Sequence, residues 1–339
     1  MKLITFAIPC YNSANYMDKC ILSLLKAGED AEILVVNDGS TKDNTAEIAD
    51  RYEKEYPTIV KAIHKENGGH GDAVNYGLKN ATGKYFKVVD SDDWVDESAL
   101  NKIMEALRSF EGKEECPDAV ISNYVYEKVY KNERRVVKFE NFPEGRLFDF
   151  EETKPFKTGQ FMSMHSMIYR TELLRSINFE LPKHTFYVDN LVVYVPLPYV
   201  MKYYYVNVDF YRYFIGRADQ SVAIKNQLAR SDQMIRVGEI LIASHDINKL
   251  KETRPKLYKY MLDYVLIMTV LNSIFLIKKG GKEAIAQKRA FWNYLKEKDP
   301  VSYKKCRKRF TGITYYNCWF THWICKVIYF FAVKVLKTN

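Results

Sequence analysis

Asp90-Ser91-Asp92 sets two carboxylates one residue apart at the end of an apolar run. Two carboxylates together with substrate phosphates are the usual seat of Mg²⁺ or Mn²⁺, so the pair implies a phosphorylated ligand. Two other apolar runs also end in acidic or hydrogen-bonding side chains, Pro9-Cys10-Tyr11-Asn12 and Asn37-Asp38-Gly39-Ser40. Each has a plainer reading when taken alone: Asp38-Gly39 suits a turn, and Ser91 or Asp93 suits the cap of a helix beginning near Val95. An EF-hand loop does not fit, because Trp94 holds its fifth position and its sixth is not glycine. No G-x-x-x-x-G-K-S/T phosphate loop occurs, and Gly69-His70-Gly71-Asp72-Ala73-Val74 lacks the third glycine of the dinucleotide fingerprint.

These groups meet only if the elements beneath them form one sheet. Short apolar runs at Leu3 to Pro9, Glu32 to Asn37, Ile59 to His64, Tyr85 to Val89 and Ala119 to Ser122 alternate with amphipathic stretches of helical length. Between residues 14 and 27, Met17, Ile21, Leu24 and Leu25 mark one helical face. The pattern predicts an α/β fold with a mostly parallel sheet covered by helices on both faces. In such sheets ligands bind beyond the carboxyl ends of the strands, which is where all three groups fall. Residues 124 to 225 are Tyr- and Phe-rich and broken by Pro143, Pro182, Pro196 and Pro198, which suggests an irregular acceptor subdomain over the sheet's edge. Helical pattern returns over 226 to 299, and 300 to 339 form a basic, aromatic tail.

Pro9 to Asn12, Asn37 to Ser40, Asn67-Gly68-Gly69 through Asn75-Tyr76-Gly77, and Val89 to Asp93, in this order and spacing, resemble the family 2 glycosyltransferases of GT-A fold. The resemblance implies inverting transfer of a sugar from a nucleotide-sugar, usually a UDP-sugar, with Mn²⁺ or Mg²⁺. It implies that Pro9 and Tyr11 line the base pocket, that Asp38 contacts uracil or ribose, and that Asp90 and Asp92 face the ribose and the metal-bound diphosphate. Asn12, Asn67, Gly69, Asp72, Asn75 and Ser91 join them as donor-binding candidates. Val74 stands where many relatives carry Arg, and Arg217 is the candidate to supply that charge, with a solvated loop as the other reading.

Inversion requires a base on the far side of the sugar to take the proton of the attacking hydroxyl. The family's Glu-Asp pair matches Val188-Asp189 here, so Asp189 is the candidate base, with Asp72 second and a plain helix cap as the alternative role for Asp189. His70 and His184 are lesser candidates for positioning hydroxyls. A related class, the sugar-1-phosphate nucleotidyltransferases, would carry a Gly-rich basic first loop, and Cys10-Tyr11-Asn12-Ser13 is not one. A non-catalytic, membrane-bound nucleotide scaffold remains the third reading.

The 339 residues are 47% hydrophobic and 27% charged, which excludes a disordered chain. No Asp or Glu follows Asp299, whereas Lys304, Lys305, Arg307, Lys308, Arg309, Lys326, Lys334 and Lys337 do. The formal charge of +9 therefore belongs to the tail, and residues 1 to 299 carry only +1. This distribution argues against a nucleic-acid groove and for an anionic membrane surface meeting the tail. Lys326 and Lys334 interrupt its apolar run, so an in-plane anchor is expected rather than a span. The acceptor expected on this basis is a saccharide or polyprenyl-linked saccharide of a bacterial surface polysaccharide. Six cysteines without a C-x-x-C pair, and no apolar leader at Met1, suggest a cytoplasmic protein peripheral to the inner face of the cell membrane.

Overall fold

The computed structural model describes residues 2–157, 159–216 and 224–336. The chain forms two compact units, Met1–Ile215 and Gly216–Asn339.

The first unit is built on one sheet. Its strands are β1 (Ile4–Cys10), β2 (Ala31–Asp38), β3 (Val60–Lys65), β4 (Tyr85–Val88), β5 (Trp94–Val95), β6 (Ala119–Lys128), β7 (Glu133–Val137), β8 (Leu147–Phe148), β9 (Met167–Arg170) and β10 (Tyr203–Phe214). Its helices are α1 (Met17–Leu25), α2 (Thr45–Glu55), α3 (His70–Asn80), α4 (Glu97–Arg108), α5 (Thr171–Ser176) and α6 (Asp189–Tyr194). The main strand order is β3-β2-β1-β4-β9-β6-β10-β5. β1 to β4 run parallel, and every residue of β1 and β2 is buried, as expected of strands covered on both faces. Connections from β1 lead to one side and β4 lies on the other, so the crevice between their carboxyl ends is a topological switch point. The β1 to β4 half is parallel, as the sequence predicts, and the strands beyond it pair in both senses.

Two expectations change. Residues after 124 do not merely lie over the sheet's edge, because β9 inserts antiparallel between β4 and β6 and β10 pairs parallel with β6. Neither Ser91 nor Asp93 caps the next helix. Trp94–Val95 pairs with β10, and α4 starts two residues later under Asp96, whose carboxylate accepts from the Ala99 amide at 3.1 Å. Local propensity allowed several caps; pairing with β10 selected this one.

The second unit is helical: α7 (Ile224–Ala229), α8 (Ser231–Ser244), α9 (Leu250–Thr253), α10 (Pro255–Lys279), α11 (Gly281–Lys298), α12 (Pro300–Lys308) and α13 (Trp319–Leu336). α10 is apolar around its whole circumference and is the central helix, packed by α8, α11 and α13. It is long and apolar enough to cross a membrane, yet 78% of its most apolar stretch is buried in the structure. Gly238 lets α8 come close, since a β-carbon there would lie 2.7 Å from the Asn272 amide and 2.9 Å from the Phe291 ring. The KKCRKR run falls mostly on α12, which packs on α11, so that stretch is folded into the bundle.

Candidate active site

Four loops meet at the carboxyl ends of β1 to β4. Pro9 is buried within β1, Tyr11 is half exposed just beyond it, and Asn12 adopts the left-handed conformation (φ 51°). That turn aims the Asn12 side chain at the β2 loop, where Oδ1 accepts from the Thr41 and Lys42 amides at 3.2 and 3.1 Å. Its own amide donates to Ser40 Oγ at 2.9 Å. Ser13 and Ser91 hydroxyls share a hydrogen bond of 2.8 Å, tying the β1 loop to the acidic turn after β4.

Asp38 ends β2 almost without solvent exposure. Its Oδ1 accepts from Lys65 Nζ at 2.6 Å and the Gly68 amide at 2.9 Å; Oδ2 accepts from the Gly69 amide at 2.7 Å and Asn67 Nδ2 at 3.0 Å. Lys65 also reaches Asp72 at 2.7 Å. Burial works against the Lys65 charge, but its bonds to Asp38 and Asp72 prevail and raise its pKa. Asp38 therefore acts here as the anchor of the loop leading into α3. Gly68 sits against the Asp72 carboxylate, and Gly69 (φ 85°) against the His184 backbone, with no room for a side chain at either. Asn75 grips the Leu181 backbone in both directions at 2.9 Å, and the His184 amide donates to Gly68 O at 2.6 Å. Asn75, and Asp72 through Lys183 at 3.5 Å, thus help seat the segment that ends at Asp189, whereas Asn67 is spent on Asp38. His184 (φ 47°) and Tyr187 (φ 66°) are both left-handed, so that segment is a tightly turned loop.

His70 opens α3 and meets Asp90 Oδ1 at 2.8 Å. Burial disfavours its charged form, but Asp90, then Asp189 and Asp92, raise its pKa. Asp189 opens α6, half-buried, with its carboxyl raised by burial first and by Asp90 second, while His70 opposes. Asp90 is pulled below the usual carboxylate range: burial acts the other way, but His70, His165 and Lys87 outweigh it. Asp92 is partly exposed in the same turn and raises its neighbours Asp93, His70, Cys10 and Cys20. Thus Asp90, Asp92, Asp189 and His70 share one electrostatic neighbourhood. Arg217 lies outside the described residues.

Other participants gave little warning in the sequence. Asp93 is fully buried, accepting from the Tyr211 hydroxyl at 2.6 Å and the Phe214 amide at 2.8 Å. Burial, then Asp92 and Asp90, push its carboxyl well above the usual range. Tyr211 also receives the Asp90 amide at 3.1 Å, and irregular pairing of β10 around Asp209 precedes it. Such bulges re-aim side chains beside sites. His165 stacks on Tyr211 with ring centres 4.5 Å apart, and burial lowers its pKa to about 4. Lys87, fully buried in β4, donates to the His165 and Met167 carbonyls at 2.8 and 3.3 Å. Burial lowers its pKa to about 7, against the opposing effect of Asp90. A lysine inside an apolar strand was the available signal for Lys87; nothing near residue 165 pointed to the site.

Metal-ligating atoms of Asp90, Asp93 and His165 all lie within 4.8 Å of one another. The imidazole is neutral at pH 7, and its Nδ1 is buried without a hydrogen-bond partner among the described residues. Carboxylates crowded into one turn beside an orphaned imidazole nitrogen fit a divalent cation such as Mn²⁺. This donor set differs from the Asp90–Asp92 pair of the sequence reading by its buried members, Asp93 and His165.

A switch-point crevice rimmed by an acidic turn on a mixed α/β sheet is an arrangement of GT-A type. The model of Glycosyl transferase family 2 matches residues 5–178, half of the chain, and the chain belongs to that family. It is 31% identical over 199 residues to glycosyltransferase GlyA of Streptococcus pneumoniae, covering 53% of this chain and 26% of that protein. With GlyG of the same organism it shares 37% over 125 residues, 36% of this chain and 39% of that one. The chain thus matches well under half the length of these curated relatives. In fold it is similar to S. aureus TarS, with a TM-score of 0.57 at 18% identity, covering 91% of this chain and 55% of that one. It is also similar to the mannosyltransferase PcManGT from Pyrobaculum calidifontis, solved with GDP-Man and Mn²⁺, with a TM-score of 0.50 at 14% identity, covering 99% and 88%.

Proposed function

We propose that this chain transfers a sugar, with inversion, from a UDP-sugar to a hydroxyl of a saccharide or lipid-linked saccharide in the assembly of a bacterial surface polysaccharide. The observation that carries the proposal is the convergence of the β1, β2 and β4 loops with Asp189, at the start of α6, around one acidic turn. The mannosyltransferase of similar fold, solved with GDP-Man and Mn²⁺, supports a nucleotide-sugar donor and a divalent cation.

In this reading the diphosphate sits by the acidic turn, with the donor's base against Pro9 and Tyr11. Asp38 acts indirectly, holding the 67–69 loop through three of its four hydrogen bonds, the fourth being to Lys65. Asp90 and Asp93, with His165 and with Asp92 at the turn, are the residues that would hold a divalent cation. When bound, the ion supplies Lewis-acid stabilisation of the charge on the departing diphosphate. His70, whose pKa Asp90 raises against the effect of burial, lies on the same side and keeps that carboxylate fixed through their 2.8 Å contact. Asp189 accepts the proton of the attacking hydroxyl, and its raised pKa makes it a stronger base than an exposed carboxylate.

The test is incubation of the full chain with a panel of UDP- and GDP-sugars and Mn²⁺, reading nucleoside diphosphate release and acceptor labelling. Asp189→Asn should lower turnover by roughly two to four orders of magnitude while UDP affinity stays within about threefold. Unchanged turnover in that variant removes Asp189 from the mechanism. Pyrophosphate formed from sugar phosphate and UTP would indicate a nucleotidyltransferase instead; silence across the panel with no UDP binding would indicate a scaffold.

A further inference from the structure

We propose that an exposed aromatic face of the second unit, centred on Trp319, Phe320 and Trp323, docks on an anionic phospholipid bilayer. The three side chains are 80%, 58% and 53% exposed, and Phe310 and Tyr316 in the preceding turn are 73% and 49% exposed. Isolated exposed rings are ordinary, but five within residues 310 to 323, three of them on one helix, are a concentration of the kind that marks an interaction surface.

Helix geometry explains why they stay in water. Trp319, Trp323 and Lys326 follow one another at i, i+4 and i+7, so they share a stripe of α13, with Phe320 beside it. The opposite side is already used. Cys325 is buried with Ile274 and Ile277 of α10, Tyr329 packs on Phe275, and Lys278 lies over the Tyr329 ring at 3.9 Å. α13 is therefore seated on α10 by one face and presents a second, aromatic face that is exposed among the described residues.

Charge identifies the partner. Lys304, Lys308 and Lys326 are exposed and have no ion-pair partner among the described residues. Arg309 is paired with Asp263 at 2.6 Å, and Arg307 lies 3.8 Å over the Tyr315 ring. With no acidic residue from 300 to 339, a second copy of the chain would bring like charges together across a two-fold contact. A bilayer has no such conflict. Indole and phenol rings settle at the headgroup level, and Lys326 on the same stripe meets lipid phosphates. Each basic residue near an anionic leaflet contributes on the order of a fivefold gain in partitioning. Single-stranded nucleic acid also takes aromatic and basic residues, but it needs a basic groove to track its backbone, and these rings stand on the outer face of a helix. α10, the helix long enough to span, is occupied as the core of its bundle, so the docking is in-plane.

The experiment is co-sedimentation of the full chain with vesicles of phosphatidylglycerol and phosphatidylcholine, or of phosphatidylcholine alone, without donor. The chain should sediment with the anionic vesicles, less so in 0.5 M salt, and its tryptophan emission should shift to the blue. Trp292 is buried and Trp94 half-buried in the first unit, so a shift lost in the Trp319→Ser, Trp323→Ser variant reports on those two rings. Trp319→Ser with Trp323→Ser should weaken partitioning about tenfold or more without altering the melting curve, because both rings are solvent-exposed. Lys326→Glu should reduce the preference for anionic vesicles severalfold; an unchanged preference would count against the proposal. Four results would overturn the proposal: no sedimentation, equal sedimentation of the double tryptophan variant, ring-dependent dimerisation without vesicle binding, or tighter binding to a single-stranded oligonucleotide. The inference goes beyond the transfer reaction, and since no donor is used, failure of either proposal leaves the other standing.

Discussion

Replacing Asp38 by Ala tests whether this residue shapes the donor loop or merely touches a ligand. The side chains of Asp38 and Lys65 are 3% and 4% exposed, so solvent screening gives little relief. Removing one partner of a buried ion pair costs about 3–5 kcal/mol. Lys65 keeps Asp72 at 2.7 Å, which moves the value toward the lower end. The Gly68 and Gly69 amides lose their acceptor as well, at about 1–3 kcal/mol each if no water enters. These losses share one site and do not add, so the expected destabilisation is about 4 kcal/mol, roughly three orders of magnitude in the folding equilibrium. Urea unfolding of the full chain at pH 7, followed by far-UV circular dichroism, measures it; UDP calorimetry on the same protein measures the loop. Adding Lys65→Met should return at least about 1 kcal/mol relative to the sum of the single variants, because the buried ammonium is no longer stranded. If Asp38→Ala stays within about 1 kcal/mol of the wild type while UDP affinity collapses, the loop-anchor reasoning fails.

His165→Ala should raise the Mn²⁺ concentration needed for thermal stabilisation in the presence of UDP by about tenfold or more; an unchanged metal titration would remove His165 from the donor set. Lys87→Met should flatten the pH dependence of stability. The folded-state pKa of Lys87 is about 7, against 10.5 for the free side chain, so its contribution is complete above 10.5 and lost as pH falls through 7. Between pH 7.5 and 9.5 the wild type should gain stability relative to the variant by up to about 1.4 kcal/mol per pH unit, read from urea midpoints. Parallel curves would show that Lys87 keeps its proton in the fold.

The alternation of apolar runs with amphipathic stretches was enough to read the β1 to β4 half and the loops that end at Asn12, Asp38 and Asp92. Strand and helix periods are local properties, and a run such as Ile4–Cys10, apolar almost throughout, fits only a strand covered on both faces. Long-range pairing decided the rest. The Tyr-rich segments after 124 carry no clean alternation, because tyrosines such as Tyr203 and Tyr211 are buried in full, and only the sheet shows that β9 runs between β4 and β6. Asp38 and Asp92 looked equivalent in the chain, yet one is enclosed by four donors and the other remains partly exposed. His165 reaches Asp90 and Asp93 because Lys87 and Tyr211 hold its turn against β4 and β10. The sequence by itself therefore determined which loops crowd one rim, since that follows from periodicity. Which carboxylates lost their water, and which cations answered them, depended on neighbours distant in the chain, because burial and counter-charge exist only once the chain has folded.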